Sequence, residues 1–231
     1  MLTAYDYPTA LALDRAGLDM ILVGDSLSEV ELGRDSTRAI GLEVMEHHAR
    51  AVRAGTEATH IVVDLPADTY RDPEEAVASG RRLMEAGADS VKLEGALIPQ
   101  VEAILAAGIP VMGHVGLLPQ TAEDYRRQGT TDESAERIAA DARALDAAGC
   151  FSLIVEAVPE DLAARITAEV TCPTVGIAAG AACDGQVLVS TDLIGQLPEP
   201  PTWMTPRADV FSTVRDAATA YRDAVREGGV E

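Results

Sequence analysis

The chain has 231 residues, and 38 acidic side chains against 18 basic ones leave a formal charge of −20. Hydrophobic residues make up 47% and charged residues 24%, a globular composition with enough material for one large domain and unlike a disordered chain. The charge excludes a surface that tracks nucleic-acid phosphates, no apolar run approaches the roughly 20 residues of a membrane span, and no basic segment followed by an apolar core opens the chain as a secretory signal does.

In chain order, a short strand at about 2–4 leads into helical spacing of apolar residues over 9–16. A strand at 19–23 precedes a helix at 43–54, and a strand at 60–64 precedes one at 73–86, where Asp72 is a candidate N-cap before Pro73, Glu74 and Glu75. Strands at 90–94, 110–114 and 151–156 are followed by helical patterns at 97–107, 133–148 and 159–169. Strands at 174–177 and 186–189 close the series, and a last helix spans about 206–226 after the proline-rich piece 198–206. Gly17, Gly55, Gly87, Gly108 and Gly149 each follow a helical run, where a left-handed C-terminal glycine belongs. Eight strands alternating with helices over about 190 residues predict a parallel sheet. Near-continuous apolar strands fit one covered on both faces. Eight units favour a closed (β/α)8 barrel, of the α/β class, over an open doubly wound sheet. The domain expectation is a single barrel over 1–231 that includes the C-terminal helix.

The polar residues fall where these apolar strands stop. Gly24-Asp25-Ser26 follows the second strand, Asp64 ends the third, Lys92 and Glu94 sit on the fourth, His114 ends the fifth and Glu156 the sixth. In a parallel barrel these are C-terminal strand ends on one rim, where barrel enzymes place their chemistry. Side chains alternate along a strand, so Lys92 and Glu94 face the same way. Crowded carboxylates need a compensating cation, and Asp25, Asp64 and Glu94 are hard oxygen donors on neighbouring strands with no Cys or His pair competing, which points to Mg2+ or Mn2+.

Lys92 is the only lysine among the 18 basic residues. It is expected to be either a fixed positive charge for an anionic substrate or a Schiff-base amine. His114 is either a structural strand-end histidine or a hydrogen-bond donor to a substrate oxygen. The apolar run Leu153-Ile154-Val155 leads into Glu156, so that carboxylate is expected to be buried and to act as a general base. His47, His48 and His60 read as structural. Gly176 to Gly180 matches a phosphate-cradling loop only loosely. The 3 cysteines (Cys150, Cys172, Cys183) are sparse and lack metal-ligand spacing, which fits a reducing cytoplasm. An arginine-rich, lysine-poor, strongly acidic surface points to a high-salt cytoplasm, a halophilic composition in which salt screens carboxylate repulsion.

At these same positions the chain resembles the ketopantoate hydroxymethyltransferase family. The matching motifs are Thr3-Ala4-Tyr5-Asp6-Tyr7, Val23-Gly24-Asp25-Ser26-Leu27, Asp64-Leu65-Pro66, Val91-Lys92-Leu93-Glu94-Gly95 and Gly113-His114-Val115-Gly116-Leu117. Further along they are Pro119-Gln120, Val155-Glu156 with Val158-Pro159, Pro173-Thr174-Val175-Gly176-Ile177 and Asp184-Gly185-Gln186-Val187-Leu188-Val189. The motifs stand in family order over about residues 3 to 195.

The resemblance implies a TIM barrel of the phosphoenolpyruvate/pyruvate type. It implies hydroxymethylation of 3-methyl-2-oxobutanoate by 5,10-methylenetetrahydrofolate, giving 2-dehydropantoate for pantothenate and coenzyme A biosynthesis, through an enolate that Mg2+ stabilises. It implies that Asp25 and Asp64 bind Mg2+ and contact the substrate, and that Glu94 completes the metal's shell through water. It further implies that Ser26 and Lys92 hold the substrate, that His114 lies beside it, that Glu156 is the base, and that the chain forms a homo-oligomer, decamers being frequent in the family. Two other readings keep the same site: a Mg2+-dependent C–C lyase or decarboxylase acting on a small 2-oxo acid, and a non-catalytic paralogue that binds one. The chain departs from the family pattern at Ser28-Glu29, Arg38-Ala39-Ile40-Gly41, Ala67, Leu118 and Thr121-Ala122-Glu123-Asp124-Tyr125, positions expected mainly in rim loops.

Overall fold

A computed structural model describes residues 1–229. The described chain forms two compact units, Met1–Val187 and the segment from Leu188 onward; residues 230 and 231, which the single-domain expectation includes, lie outside the described residues.

The first unit carries eight parallel strands in sequential order. They are β1 (Leu2–Thr3), β2 (Met20–Val23), β3 (His60–Asp64), β4 (Ser90–Lys92), β5 (Val111–Gly116), β6 (Ser152–Glu156), β7 (Thr174–Ile177) and β8 (Gly185–Gln186). Helices α1 (Tyr7–Arg15), α2 (Leu27–Val30), α3 (Leu42–Ala54), α4 (Pro73–Glu85), α5 (Ile98–Ala106), α6 (Asp132–Ala148) and α7 (Glu160–Glu169) intervene, with a 3-10 turn at Thr37–Ala39. Each strand pairs with its sequence neighbours. The Met1 ammonium donates to the Gln186 carbonyl at 3.1 Å, which brings the start of β1 against β8.

The period-two expectation explains the layering. Ile21, Val23, Ile61, Val63, Val91, Leu153 and Val155 alternate outward and pack with helix residues such as Met45, Leu83, Ile104, Leu145 and Ile166 in one buried core. Leu22, Val62, Met112, Ile154 and Val175 alternate inward and, with Val187 just after β8, form a second cluster, the filling of the barrel. Each fully buried side chain of this kind stabilises the fold by about 1.5–3 kcal/mol. Above the inner layer, still on the inward face, come Asp64, Lys92, His114 and Glu156. The apolar plug therefore forms the floor on which the polar mouth stands.

Helix starts follow local chemistry. The Asp72 side chain accepts from Glu75 N at 2.9 Å, with Pro73 next in the chain. Asp6 caps α1 through Thr9 N at 2.7 Å. Of the five C-terminal glycines, Gly17, Gly87, Gly108 and Gly149 are left-handed. Gly55 is not, with φ −95°. Its constraint is steric: a Cβ there would lie 2.6 Å from the Tyr7 carbonyl oxygen, so glycine lets α3 close on α1.

Several boundaries shift. β4 ends at Lys92, and β5 runs on to Gly116. β8 is Gly185–Gln186, not 186–189, because α8 (Ser190–Leu193) begins almost at once. The one-turn helices α2 and α8 escape sequence analysis because four residues show no period.

The second unit contains α8, a proline-containing connector and α9 (Val210–Arg226). The C-terminal helix starts at 210, not 206: Pro206 belongs to the connector, and the Asp209 side chain caps α9 by accepting from Ser212 N at 2.9 Å. α9 buries none of its residues, and Phe211, Val214, Tyr221 and Val225 stand exposed along it. No helix among the described residues is long and apolar enough to cross a membrane.

Candidate active site

The site begins where the inward strand residues turn from apolar to charged. Register places Asp64 beside Lys92 and Gly116 beside Glu156. Asp25, Asp64, Lys92, Glu94 and His114 are all buried, between 2% and 5% exposed. Asp64 is the hub. Its Oδ2 accepts from Asp25 N at 3.1 Å, and its Oδ1 lies 3.0 Å from the Lys92 ammonium. That second contact is a charge pair without hydrogen-bond alignment, so Oδ1 has no aligned donor.

Lys92 Nζ is also 3.3 Å from His114 Nδ1, and His114 Nε2 is 3.2 Å from Glu156 Oε2. An ammonium only donates, so Nδ1 must accept and the imidazole proton sits on Nε2, facing the Glu156 carboxylate. Asp64, Lys92, His114 and Glu156 thus form a continuous line from β3 to β6. The Nε2 approach to Glu156, like the Asp64–Lys92 contact, lacks hydrogen-bond alignment, and Glu94 Oε1 lies further off from Nδ1 at 3.9 Å.

Glu156 is less enclosed than its apolar approach predicts, with a side chain 21% exposed. It is the last residue of β6, and the chain turns sharply at Ala157, whose φ of 48° is left-handed and strained for alanine. Beside it Gly116 is obligatory: a Cβ would lie 2.2 Å from the Glu156 carbonyl oxygen. Ser26 takes no carboxylate partner. Its hydroxyl meets the Tyr5 hydroxyl at 2.8 Å, which ties the loop after β1 to the residue after Asp25.

The electrostatics are unbalanced. Burial pushes Asp25 up to about 7, and the nearby Asp64 charge adds to the effect. Burial pushes Glu94 up to about 8, against the opposing pull of Lys92. Burial opposes the Lys92 charge, yet Asp64, Glu94 and Asp25 together raise its pKa above the usual lysine range. Burial, then Lys92, lowers His114 and keeps the imidazole neutral. Three buried carboxylates share one ammonium, so the pocket lacks positive charge. Its oxygen-only donors suit a hard divalent cation. Among the described residues no three Asp, Glu, His or Cys side chains converge on a single ion position. Asp25, Asp64 and Glu94 are the residues that could hold such a cation, a sparse set of the kind Mg2+ accepts while keeping several waters.

Sequence analysis missed two residues. Gln120, buried in the loop after β5, donates from Nε2 to Asp25 Oδ2 at 2.8 Å and to the Leu65 carbonyl at 2.9 Å. Its backbone N donates to Glu94 Oε2 at 2.9 Å. The Tyr70 hydroxyl donates to Gln120 Oε1. Pro119-Gln120 was visible as a motif, but nothing local signals that a loop amide reaches three other strands. The histidines read as structural behave so: His48 Nδ1 meets the Tyr5 carbonyl at 2.6 Å and His60 Nε2 meets Ser90 Oγ at 2.9 Å. In the 176–180 stretch, the next backbone N–H, at Ala181, already donates to Glu160 Oε1 at 3.2 Å, so a carboxylate occupies the place a phosphate would need.

Sequential parallel strands with a charged C-terminal rim define a barrel of the (β/α)8 kind with a polar site at its mouth. Solved structures of that fold align over nearly the whole chain. Phosphonopyruvate hydrolase matches with TM-score 0.66 at 12% identity, covering 100% of this chain and 83% of its own. 2,3-Dimethylmalate lyase, a member of the PEP mutase/isocitrate lyase superfamily, matches with TM-score 0.63 at 14% identity, covering 98% and 82%. The family model described as ketopantoate hydroxymethyltransferase matches residues 1–229. The 3-methyl-2-oxobutanoate hydroxymethyltransferase of Moorella thermoacetica is 50% identical over 99% of this chain and 88% of its own. That of Pyrobaculum neutrophilum is 45% identical over 98% and 89%. The chain belongs to the ketopantoate hydroxymethyltransferase family.

Proposed function

We propose that this enzyme transfers a one-carbon unit from 5,10-methylenetetrahydrofolate to 3-methyl-2-oxobutanoate, giving 2-dehydropantoate for pantothenate and coenzyme A biosynthesis in the cytoplasm. The observation that carries the reading is the buried line Asp64–Lys92–His114–Glu156 beside the Asp25–Glu94 carboxylates, in a chain of this family. All three cysteines are free thiols, in keeping with a reducing compartment.

A C–H beside a ketone is a weak acid. Asp25 and Asp64 would hold a divalent cation, Mg2+ above all, which would supply the Lewis-acid charge that makes a keto oxygen electron-withdrawing. Lys92 neutralises the substrate carboxylate and is already fixed by Asp64, so little reorganisation accompanies binding. Its ion pair and buried setting favour the fixed-charge role over a Schiff-base amine, which needs a neutral nitrogen. Glu156 removes the proton from the substrate carbon, with the neutral His114 imidazole 3.2 Å from its carboxylate. The carbon nucleophile forms its new bond to the folate methylene, the C–N bonds to folate nitrogen break, and water provides the hydroxyl oxygen. Ser26, held by Tyr5, stands beside Asp25 to meet the substrate.

The exposed apolar stripe of α9, Phe211, Val214, Ala218, Tyr221 and Val225, repeats at alternating spacings of three and four, the pattern of a helix seam. It supports assembly with further copies of the chain into a homo-oligomer, a decamer in the family's manner. Deuterium exchange into 3-methyl-2-oxobutanoate tests the chemistry. Exchange that requires the cation, and that becomes carbon–carbon bond formation on adding methylenetetrahydrofolate, is expected. Cation-dependent exchange without any bond formation would instead favour a lyase-type enzyme.

A further inference from the structure

Gln120 and Tyr70 lie outside every role assigned above, yet they touch the carboxylates that the reaction needs. Gln120 is 5% exposed and sits on the loop after β5. From there it makes three hydrogen bonds to three other strand ends, to Asp25 after β2, to Leu65 after β3 and to Glu94 after β4, and accepts a fourth from the Tyr70 hydroxyl. The amide orientation is forced. The Asp25 carboxylate and the Leu65 carbonyl only accept, so the NH2 group must face both. Oε1 is left as a pure acceptor, and the buried Tyr70 hydroxyl must donate to it. Every donor and acceptor of the side chain is used, and none can be reversed without leaving a buried group unmatched.

We infer that Gln120, locked by Tyr70, is a positioning residue that fixes which oxygens of Asp25 and Glu94 are presented to the cation and the 2-oxo acid. The amide takes Asp25 Oδ2 and the backbone N–H takes Glu94 Oε2. Each carboxylate is therefore pinned by one oxygen, and the other is left uncommitted to Gln120. The clamp is uncharged, so it orients two crowded carboxylates without neutralising the charge that attracts the cation; an Arg or Lys in its place would compete with that cation. Tyr70 reaches the Asp25 carboxylate through the Gln120 amide, and its hydroxyl also meets the Glu94 backbone. Second-layer partners of metal ligands commonly contribute 10- to 100-fold to affinity. This inference rests on the cation reading of the same site.

The test uses the full-length protein with Mn2+ as probe, read by calorimetry and electron paramagnetic resonance, alongside kcat and KM for deuterium exchange. Gln120→Leu keeps the volume and removes the side-chain bonds. It is expected to weaken Mn2+ binding about 10-fold or more and to raise the cation concentration needed for half-maximal exchange, with a native near-ultraviolet circular dichroism spectrum. Tyr70→Phe is expected to shift both in the same direction by a smaller factor. The double variant is expected to be no worse than Gln120→Leu, since one path carries both effects. A merely structural role lowers the melting temperature but leaves the Mn2+ affinity of the folded protein unchanged, and that result overturns the inference. Additive effects of the two substitutions overturn the Tyr70 part. If Gln120→Leu does not fold, Tyr70→Phe decides alone, and wild-type Mn2+ affinity in it refutes the clamp. Absence of Mn2+ binding in the wild-type protein removes the cation reading itself, and the inference with it, which separates the two failures.

Discussion

The mouth of the barrel and helix α9 break the same rule in opposite directions. Proteins bury apolar groups and expose charges. The mouth buries Asp25, Asp64, Lys92, Glu94 and His114, while α9 exposes Phe211, Val214, Tyr221 and Val225 and buries nothing. Both features are costly in an isolated chain. Buried charges are tolerated only when paired and hydrogen-bonded, and an exposed apolar stripe is tolerated when something covers it. The mouth holds part of its compensation inside the chain, through Lys92 and Gln120. The compensation proposed for α9 is contact with other copies of the chain. The contrast separates a site for chemistry from a surface for assembly.

The sharpest way to break this contrast is at Glu156. Glu156→Gln keeps the volume and the contact with His114 but removes the base, so exchange is expected to fall by about 10²- to 10⁴-fold while calorimetry still detects 2-oxo-acid binding. Activity near wild type would remove Glu156 from the mechanism. Next comes Lys92→Arg. A planar guanidinium cannot sit between Asp64 and His114 as a compact ammonium does, and the resulting misplacement is expected to lower kcat/KM by about 10²-fold. On the other side of the comparison, the double substitution Val214→Asp and Tyr221→Asp is expected to lower the mass seen by light scattering and leave the circular dichroism of the barrel intact. An unchanged mass would show that α9 is not the seam.

The smallest effects are on the ordinary surface. Asp14 accepts from Thr59 N at 2.9 Å and Ala58 N at 3.1 Å, and these bonds hold its carboxyl down to about 2 from an ordinary 3.8. A depressed folded value means that its contribution is complete above the ordinary value and lost as pH falls through the folded one. Asp14→Asn is therefore expected to lower the melting temperature slightly near neutral pH, and the two proteins should converge as the pH approaches about 2. Molar salt is expected to raise the melting temperature by screening the net charge of −20; equal stability at low and molar salt would count against the halophilic reading.

Much of this was legible in the sequence because strands and rims obey local rules. Apolar runs marked β2 to β7 and pointed only to the neighbourhood of β8, while Asp64 and Glu156 fall at strand ends as expected, His114 lies two residues inside β5 and Glu94 two residues beyond β4. The expected burial of Glu156 was overstated, because a left-handed turn at Ala157 opens the end of β6 to solvent, and φ is not written in a hydrophobic pattern. Ser26 was legible as a site residue, but its bond to Tyr5 was not.

The sequence by itself determined the order of elements, the parallel sheet and the residue types delivered to one rim, since hydrophobic periodicity and strand alternation act over a few residues. Only the tertiary structure decided how those charges are joined. The proton on His114 Nε2 follows from Lys92, 22 residues away along the chain, and the orientation of Asp25 follows from Gln120, 95 residues away. Hydrogen bonds are directional and short-ranged, so their partners are chosen by where the curled sheet brings side chains together, and no local pattern carries that information.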